Sequence, residues 1–96
     1  MDHRLYLISL YDIYGELLTN KQQEYFEDYY FNNLTLSEIS ENYNVTRTAI
    51  HNQLKESEEK LEHFESVLKI KQKNELIKEY IENIDEEIKK KINDLL

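Results

Sequence analysis

The chain contains no proline and a single glycine, Gly15. These residues are the usual punctuation of hairpins and long loops, so their scarcity predicts an all-α fold with short connections. Cysteine is also missing, which excludes disulfides and thiolate chemistry and leads us to expect a reducing, cytoplasmic setting. Long apolar runs are lacking as well. Leu5 to Leu10 is cut off by Asp12 and Glu16, is too short to span a bilayer, and is followed by no small-residue cleavage site. No membrane insertion is therefore expected.

The same scarcities bear on chemistry. One glycine cannot build a phosphate cradle. His3, His51 and His63 are too scattered for a zinc motif, and Glu59 with His63 offers two ligands where a site needs more. We read that pair as an exposed contact one helical turn apart. No catalytic residues, no cofactor and no metal are expected, and the chain is not read as an enzyme.

Positive charge is in deficit. Twelve Lys and Arg face twenty Asp and Glu, a net −8. Residues 1–45 hold two cations against eight acids, and residues 46–96 hold ten against twelve. Phosphate neutralisation supplies most non-specific nucleic-acid affinity, and DNA readers usually show a basic face. Here Arg47, Lys55 and Lys60 are offset by Glu56, Glu58 and Glu59, leaving a short polar tip on an acidic body.

What is present is helical periodicity. The run LTLSEISENYNVTRTAIHNQL, Leu34 to Leu54, reads as a helix-turn-helix. Thr35 with Glu38 forms a capping box. Leu36, Ile39 and Tyr43 follow at helical spacing, with small Ser40 where a second helix must pass close. Asn44 suits a left-handed turn residue, Val45 is expected to plug the turn, and Thr46 to cap the next helix. Ile50 and Leu54 then face inward, and Thr46, Arg47, Thr48, His51, Asn52 and Lys55 form the exposed face. In DNA-binding members of this fold that face enters the major groove. Arg47 either meets phosphate or a guanine edge, or pairs with Glu38 or Glu41. Asn52 either reads adenine or stays solvated. His51 reads as a surface residue rather than a pH switch.

Five helices are predicted. The first, Arg4 to Leu17, is apolar over so much of its surface that it must be buried on two sides or meet a partner chain. A second capping box, Thr19 to Gln22, opens a helix to about Phe31. Its Tyr25, Phe26, Tyr29 and Tyr30 resemble a base-stacking platform, although helical spacing favours a core with hydroxyls at its rim. Asn32-Asn33 is a turn, and Leu36 to Asn42 forms helix three. Helix four runs from Thr46 to Leu68 with only Ser57 interrupting its stripe. After Lys69, Lys71 and Lys73, one last helix carries Ile77, Ile81, Ile84, Ile88, Ile92 and Leu95, either packing on the end of helix four or serving as a dimer or partner seam. The expected division is a helix-turn-helix domain at 1–68 and a C-terminal amphipathic helix at 69–96.

Three blocks carry a resemblance: Leu17-Leu18-Thr19 with Lys21-Gln22, the aromatic cluster Tyr25 to Tyr30, and Ser37-Glu38-Ile39 through Ile50. With them, roughly residues 4–80 resemble the YlxM family of small bacterial helix-turn-helix proteins. The resemblance implies a core like region 4 of sigma factors, of winged-helix-like type. It also implies a regulatory role in the signal recognition particle pathway, beside whose components family members are generally encoded. Its GTPase or its RNA would then be the partner. Duplex DNA is the alternative, with residues 46–55 as recognition helix. A third reading makes the chain an interaction module that works through its first and last helices. A homodimer is expected, because the first two helices offer more apolar surface than a small monomer comfortably hides.

Overall fold

The computed structural model describes residues 2–96, and these are helical with no strand among them. The elements are α1 (His3–Tyr14), a short 3-10 helix (Gly15–Leu17), α2 (Asn20–Tyr30), α3 (Leu36–Tyr43), α4 (Arg47–Leu68), α5 (Ile70–Tyr80) and α6 (Glu86–Asn93). The all-α expectation holds. A winged-helix-like form does not, since a wing needs a β-hairpin and none occurs among the described residues.

Helix starts follow the capping chemistry. Thr19 accepts from the Gln22 N–H at 3.1 Å while Gln22 Oε1 accepts from the Thr19 N–H at 3.2 Å. The Thr35–Glu38 pair repeats this at 3.1 and 3.0 Å. Each box satisfies N–H groups that have no partner inside the helix.

Two apolar clusters share the long helix α4, whose 22 residues span about 33 Å. Leu7, Leu10 and Tyr14 of α1, Leu18 just after the 3-10 helix, Phe26 and Tyr30 of α2, and Leu61 of α4 form the first. Tyr25, Ile39, Ile50 and Leu54 form the second. Helix α2 therefore lies between them, Phe26 and Tyr30 facing one cluster and Tyr25 the other. Tyr11 and Tyr30 both stack on Phe26, each at 4.3 Å between centroids. The aromatic face is thus core. Tyr25, Phe26 and Tyr30 are buried and present no platform to a base.

Helix α1 is enclosed by α2, α4 and α5, which accounts for its broad apolar surface, although Leu5 remains 57% exposed. The helix ends at Tyr14 instead of running to Leu17. A Cβ on Gly15 would stand 2.9 Å from the Tyr11 ring, so the glycine makes room for that ring against Phe26.

Three expectations need correction. Ser57 does not interrupt the α4 stripe. It is fully buried, its hydroxyl donates back to the Gln53 carbonyl at 2.8 Å, and its small size lets the helix pack closely. Val45 does not plug the turn. Its side chain is 41% exposed, and its contribution is a backbone bond to the Ser40 carbonyl at 3.0 Å. The single last helix is two, so the described chain has six α-helices where five were expected. Lys69, left-handed at φ 56°, ends α4, α5 starts at once with Ile70, and residues 81–85 break the expected run before α6.

Lys71 shows why α5 begins there. It is buried, paired with Glu75, and its ammonium sits 5.8 Å from the centre of the Tyr6 ring. The α5 N-terminus, which lacks a side-chain cap of its own, is held by Glu65. That carboxylate accepts from the Lys71 and Gln72 N–H groups, each at 3.1 Å, and from the Tyr14 hydroxyl at 2.6 Å. The Ile70 N–H donates to the same hydroxyl at 3.0 Å. The direction of α5 is thereby fixed against α1 and α4.

Candidate functional site

The α3–α4 turn aims the exposed tip. Asn44 adopts φ 55°, ψ 46°, and its N–H donates to the Glu41 carbonyl at 3.3 Å. With the Val45 bond to Ser40 this is a Schellman ending, which consumes the last carbonyls of α3 and turns the chain within three residues. Thr46 then caps α4 by accepting from the Ala49 N–H at 3.0 Å. Ile50 and Leu54, buried against Ile39 and Tyr25, fix the rotation of α4 about its axis.

That rotation places all six expected tip residues, Thr46, Arg47, Thr48, His51, Asn52 and Lys55, at the surface. Apart from Thr46, none makes a side-chain hydrogen bond or ion pair among the described residues. The pairing of Arg47 with Glu38 or Glu41 does not form. Residues 46–55 contain Arg47 and Lys55 and no acid, a local +2 on a chain of −8.

Shallow clefts adjoin the tip. Leu36, Arg47, Thr48 and His51 line one of about 270 Å³. A second, about 190 Å³, is lined by Tyr29 and Tyr30 of α2, Leu36 of α3, and His51, Leu54, Lys55 and Glu58 of α4. A third brings the chain's two arginines, Arg4 and Arg47, to one hollow with Asn33 and Thr35. Arg4 is already engaged. It donates to the Tyr29 and Tyr30 carbonyls at 3.3 and 2.9 Å and to Asn33 Oδ1 at 3.3 Å, with its guanidinium 4.9 Å from the Tyr30 ring centre. A cation on the last carbonyls of α2 is favoured by the helix dipole, so Arg4 secures the α2–α3 connection and leaves Arg47 as the available charge.

Glu58 carries the site's one raised carboxyl. Burial pushes it above the ordinary value of 4.5, and neighbouring Glu62 adds to the effect, while the Tyr30 hydroxyl, His3 and His51 work against it. A raised folded-state value disfavours the ionised form, so the penalty is absent at low pH and grows as pH rises through that window. Glu58→Gln is accordingly expected to be slightly more stable than the parent at pH 7, with the gap closing below pH 4.5. Paired thermal melts at pH 7 and pH 4 check this. A larger gap at the acidic end would contradict it.

The sequence matches, over residues 1–95, the family described as "Putative helix-turn-helix protein, YlxM / p13 like". The chain belongs to this family. A UPF0122 protein of Malacoplasma penetrans is 52% identical over 75 residues, covering 78% of this chain and 70% of that protein. One from Caldanaerobacter subterraneus subsp. tengcongensis is 43% identical over 85 residues, 88% of this chain and 73% of the relative. One from Ureaplasma urealyticum is 43% identical over 93 residues, 96% and 94% of the two chains. The match runs through α5 and α6 as well as the helix-turn-helix, so the family pattern includes the C-terminal arm.

Glu59 and His63 are both exposed, and no group of three or more metal-ligating side chains occurs among the described residues. None of their helices is long and apolar enough to cross a membrane. Sequence reading missed Gln22 as a tie. Buried at the head of α2, it donates to Gln53 and Glu56 at 3.2 and 3.0 Å and accepts from Lys60 at 3.1 Å. Two of the charges near the recognition helix are thus engaged in joining α2 to α4.

Proposed function

We propose that this chain is a non-enzymatic regulatory protein of the signal recognition particle pathway, with Thr46, Arg47, Thr48, His51, Asn52 and Lys55 as its contact surface. The reading takes the α2–α4 unit as sigma-region-4-like and the chain as cytoplasmic. The pathway is what the resemblance to the YlxM family implies, and the family match over residues 1–95 supplies the helix-turn-helix membership on which that expectation rests. The observation that carries the contact surface is the tip itself, in which five exposed polar side chains on a rigidly aimed helix have no partner within the described chain.

Charge selects among partners in that pathway. An acidic body repels bare phosphate and complements a basic protein surface, which favours the particle's GTPase over its RNA. A second reading is duplex-DNA recognition, favoured by one observation: residues 46–55 carry Arg47 and Lys55 with no acid among them. In it, Arg47 and Asn52 reach base edges in the major groove.

Titration of the fluorescently labelled chain with purified GTPase, particle RNA and duplex DNA distinguishes these partners. Saturable binding of the GTPase without RNA supports the proposal. Binding of duplex DNA alone would replace it with transcriptional regulation.

A further inference from the structure

Three of the described residues hold a positive φ: Asn33, Asn44 and Lys69. Asparagine tolerates the left-handed region, and glycine is the usual residue just past a helix end. Lysine is neither, so the bend between α4 and α5 is strained at its hinge residue, which sits at φ 56°, ψ 31°. Packing of the adjoining side chains does not offset that strain, since Val67, Leu68 and Ile70 are all exposed. What holds the bend lies outside it.

The hydrogen bonds across the bend replace those of an unbroken helix one for one. In a continuous α-helix the N–H groups of Ile70, Lys71 and Gln72 would donate to the carbonyls of Ser66, Val67 and Leu68. Here they donate instead to the Tyr14 hydroxyl at 3.0 Å and to the two carboxylate oxygens of Glu65, each at 3.1 Å. The bonds on either side already have helical spacing: the Lys69 N–H reaches the Glu65 carbonyl and the Lys73 N–H the Lys69 carbonyl, both at 2.9 Å. Three helical bonds are therefore exchanged, and two side chains stand in for them. Tyr14 donates to Glu65 at 2.6 Å, so the substitutes act as one unit. No proline or glycine between Ser66 and Gln72 opposes a continuous helix.

We infer that the α4–α5 junction is a two-state hinge, in which Tyr14 and Glu65 latch the bent form. On release, Lys69 turns right-handed and α4 and α5 join into one helix from Arg47 to Tyr80. The three N–H groups are paired in both forms, so no unsatisfied donor separates the two states. The bent form keeps Lys71 buried beside the Tyr6 ring, with Ile81 buried as well. The straight form gives up that burial and removes the left-handed lysine. Opening carries α5 and α6 off α1 and uncovers the face that holds Tyr6 and the Tyr14 hydroxyl. A partner that binds this face, or the straight helix, shifts the balance by its preference for the open form. The tip at the other end of α4 keeps its seat against Ile39 and Tyr25 in both forms.

Pulsed electron spin resonance on the full chain reads the hinge, and with no native cysteine the spin labels go only where one is introduced. One label pair joins α1 to α5, at exposed Leu5 and Lys78, and a second spans the junction, at exposed Glu59 and Lys78. Tyr14→Phe keeps the buried ring and removes only the hydroxyl, while Glu65→Ala removes the carboxylate from a half-buried helical position. Each is expected to raise the open fraction about tenfold. The α1–α5 distance then lengthens, and the junction pair moves to the roughly 28 Å backbone separation of a straight helix. Adding Lys69→Gly to either variant is expected to restore the bent form, because glycine favours the left-handed turn and disfavours the continuous helix. Unaltered helicity by circular dichroism separates opening from fraying of the arm. Unlatched variants that keep the parental distances would overturn the inference. So would broad distances with lost helicity, or an arm that stays open after Lys69→Gly.

Discussion

Arg47→Glu is expected to eliminate measurable duplex-DNA binding and to weaken any partner held at the tip by tenfold or more, without loss of helicity. The reversal costs the fold little. Arg47 has no ion-pair partner among the described residues, and it occupies the first turn of α4, where a carboxylate is favoured by the helix dipole. Binding should suffer, because Arg47 and Lys55 are the only cations in residues 46–55 and the surrounding body is already acidic. A phosphate contact becomes a repulsion, and the salt dependence should fall by roughly one counterion. Titration of the variant against each purified partner reads the effect. Parental affinity for every partner would remove the tip from the contact surface.

Phe26→Ala is expected to cost about 3–5 kcal/mol, against a total stability of about 5–15 kcal/mol for a domain of this kind. Phe26 is fully buried between the Tyr11 and Tyr30 rings. Both clusters depend on α2, so a cavity at Phe26 loosens α1 on one side and the seating of α4 on the other. The melting midpoint should fall by roughly 15–30 °C, and Phe26→Leu, which refills part of the space, should recover much of the loss. A fall of less than about 5 °C in a circular dichroism melt would show that the ring stack is not the centre of the core.

The helix-turn-helix was legible because its determinants are local. Thr35, Glu38, Asn44 and Thr46 act on backbone groups within a few residues of themselves, and Ile39, Ile50 and Leu54 follow helical spacing. The exposure of the tip was legible for the same reason: once Thr46 caps α4 and Ile50 is buried, the opposite face follows from the helical period. The roles that went unread belong to long-range pairs. Gln22 meets Gln53, Glu56 and Lys60 some thirty or more residues away, and Glu65 meets Tyr14 across 51 positions. Nothing in the local pattern around Arg4 announces that it will hold the end of α2.

Two misreadings have simple physical origins. Ser57 looks like an interruption to a hydrophobicity pattern, yet a small side chain that returns its hydroxyl to the backbone suits a close helix contact. The last helix looked continuous because its apolar steps persist from Ile77 to Leu95. Periodicity, however, does not reveal that residues 81–85 leave the helix when no proline or glycine marks the break.

The most direct test of the proposed role is affinity capture from cell lysate with the parent chain, with and without nuclease, at about 50 and 200 mM salt. The account predicts recovery of the signal recognition particle GTPase that survives both nuclease and the higher salt. Recovery of duplex DNA alone, lost steeply as salt rises, would contradict it and make this chain a transcription factor despite its charge of −8.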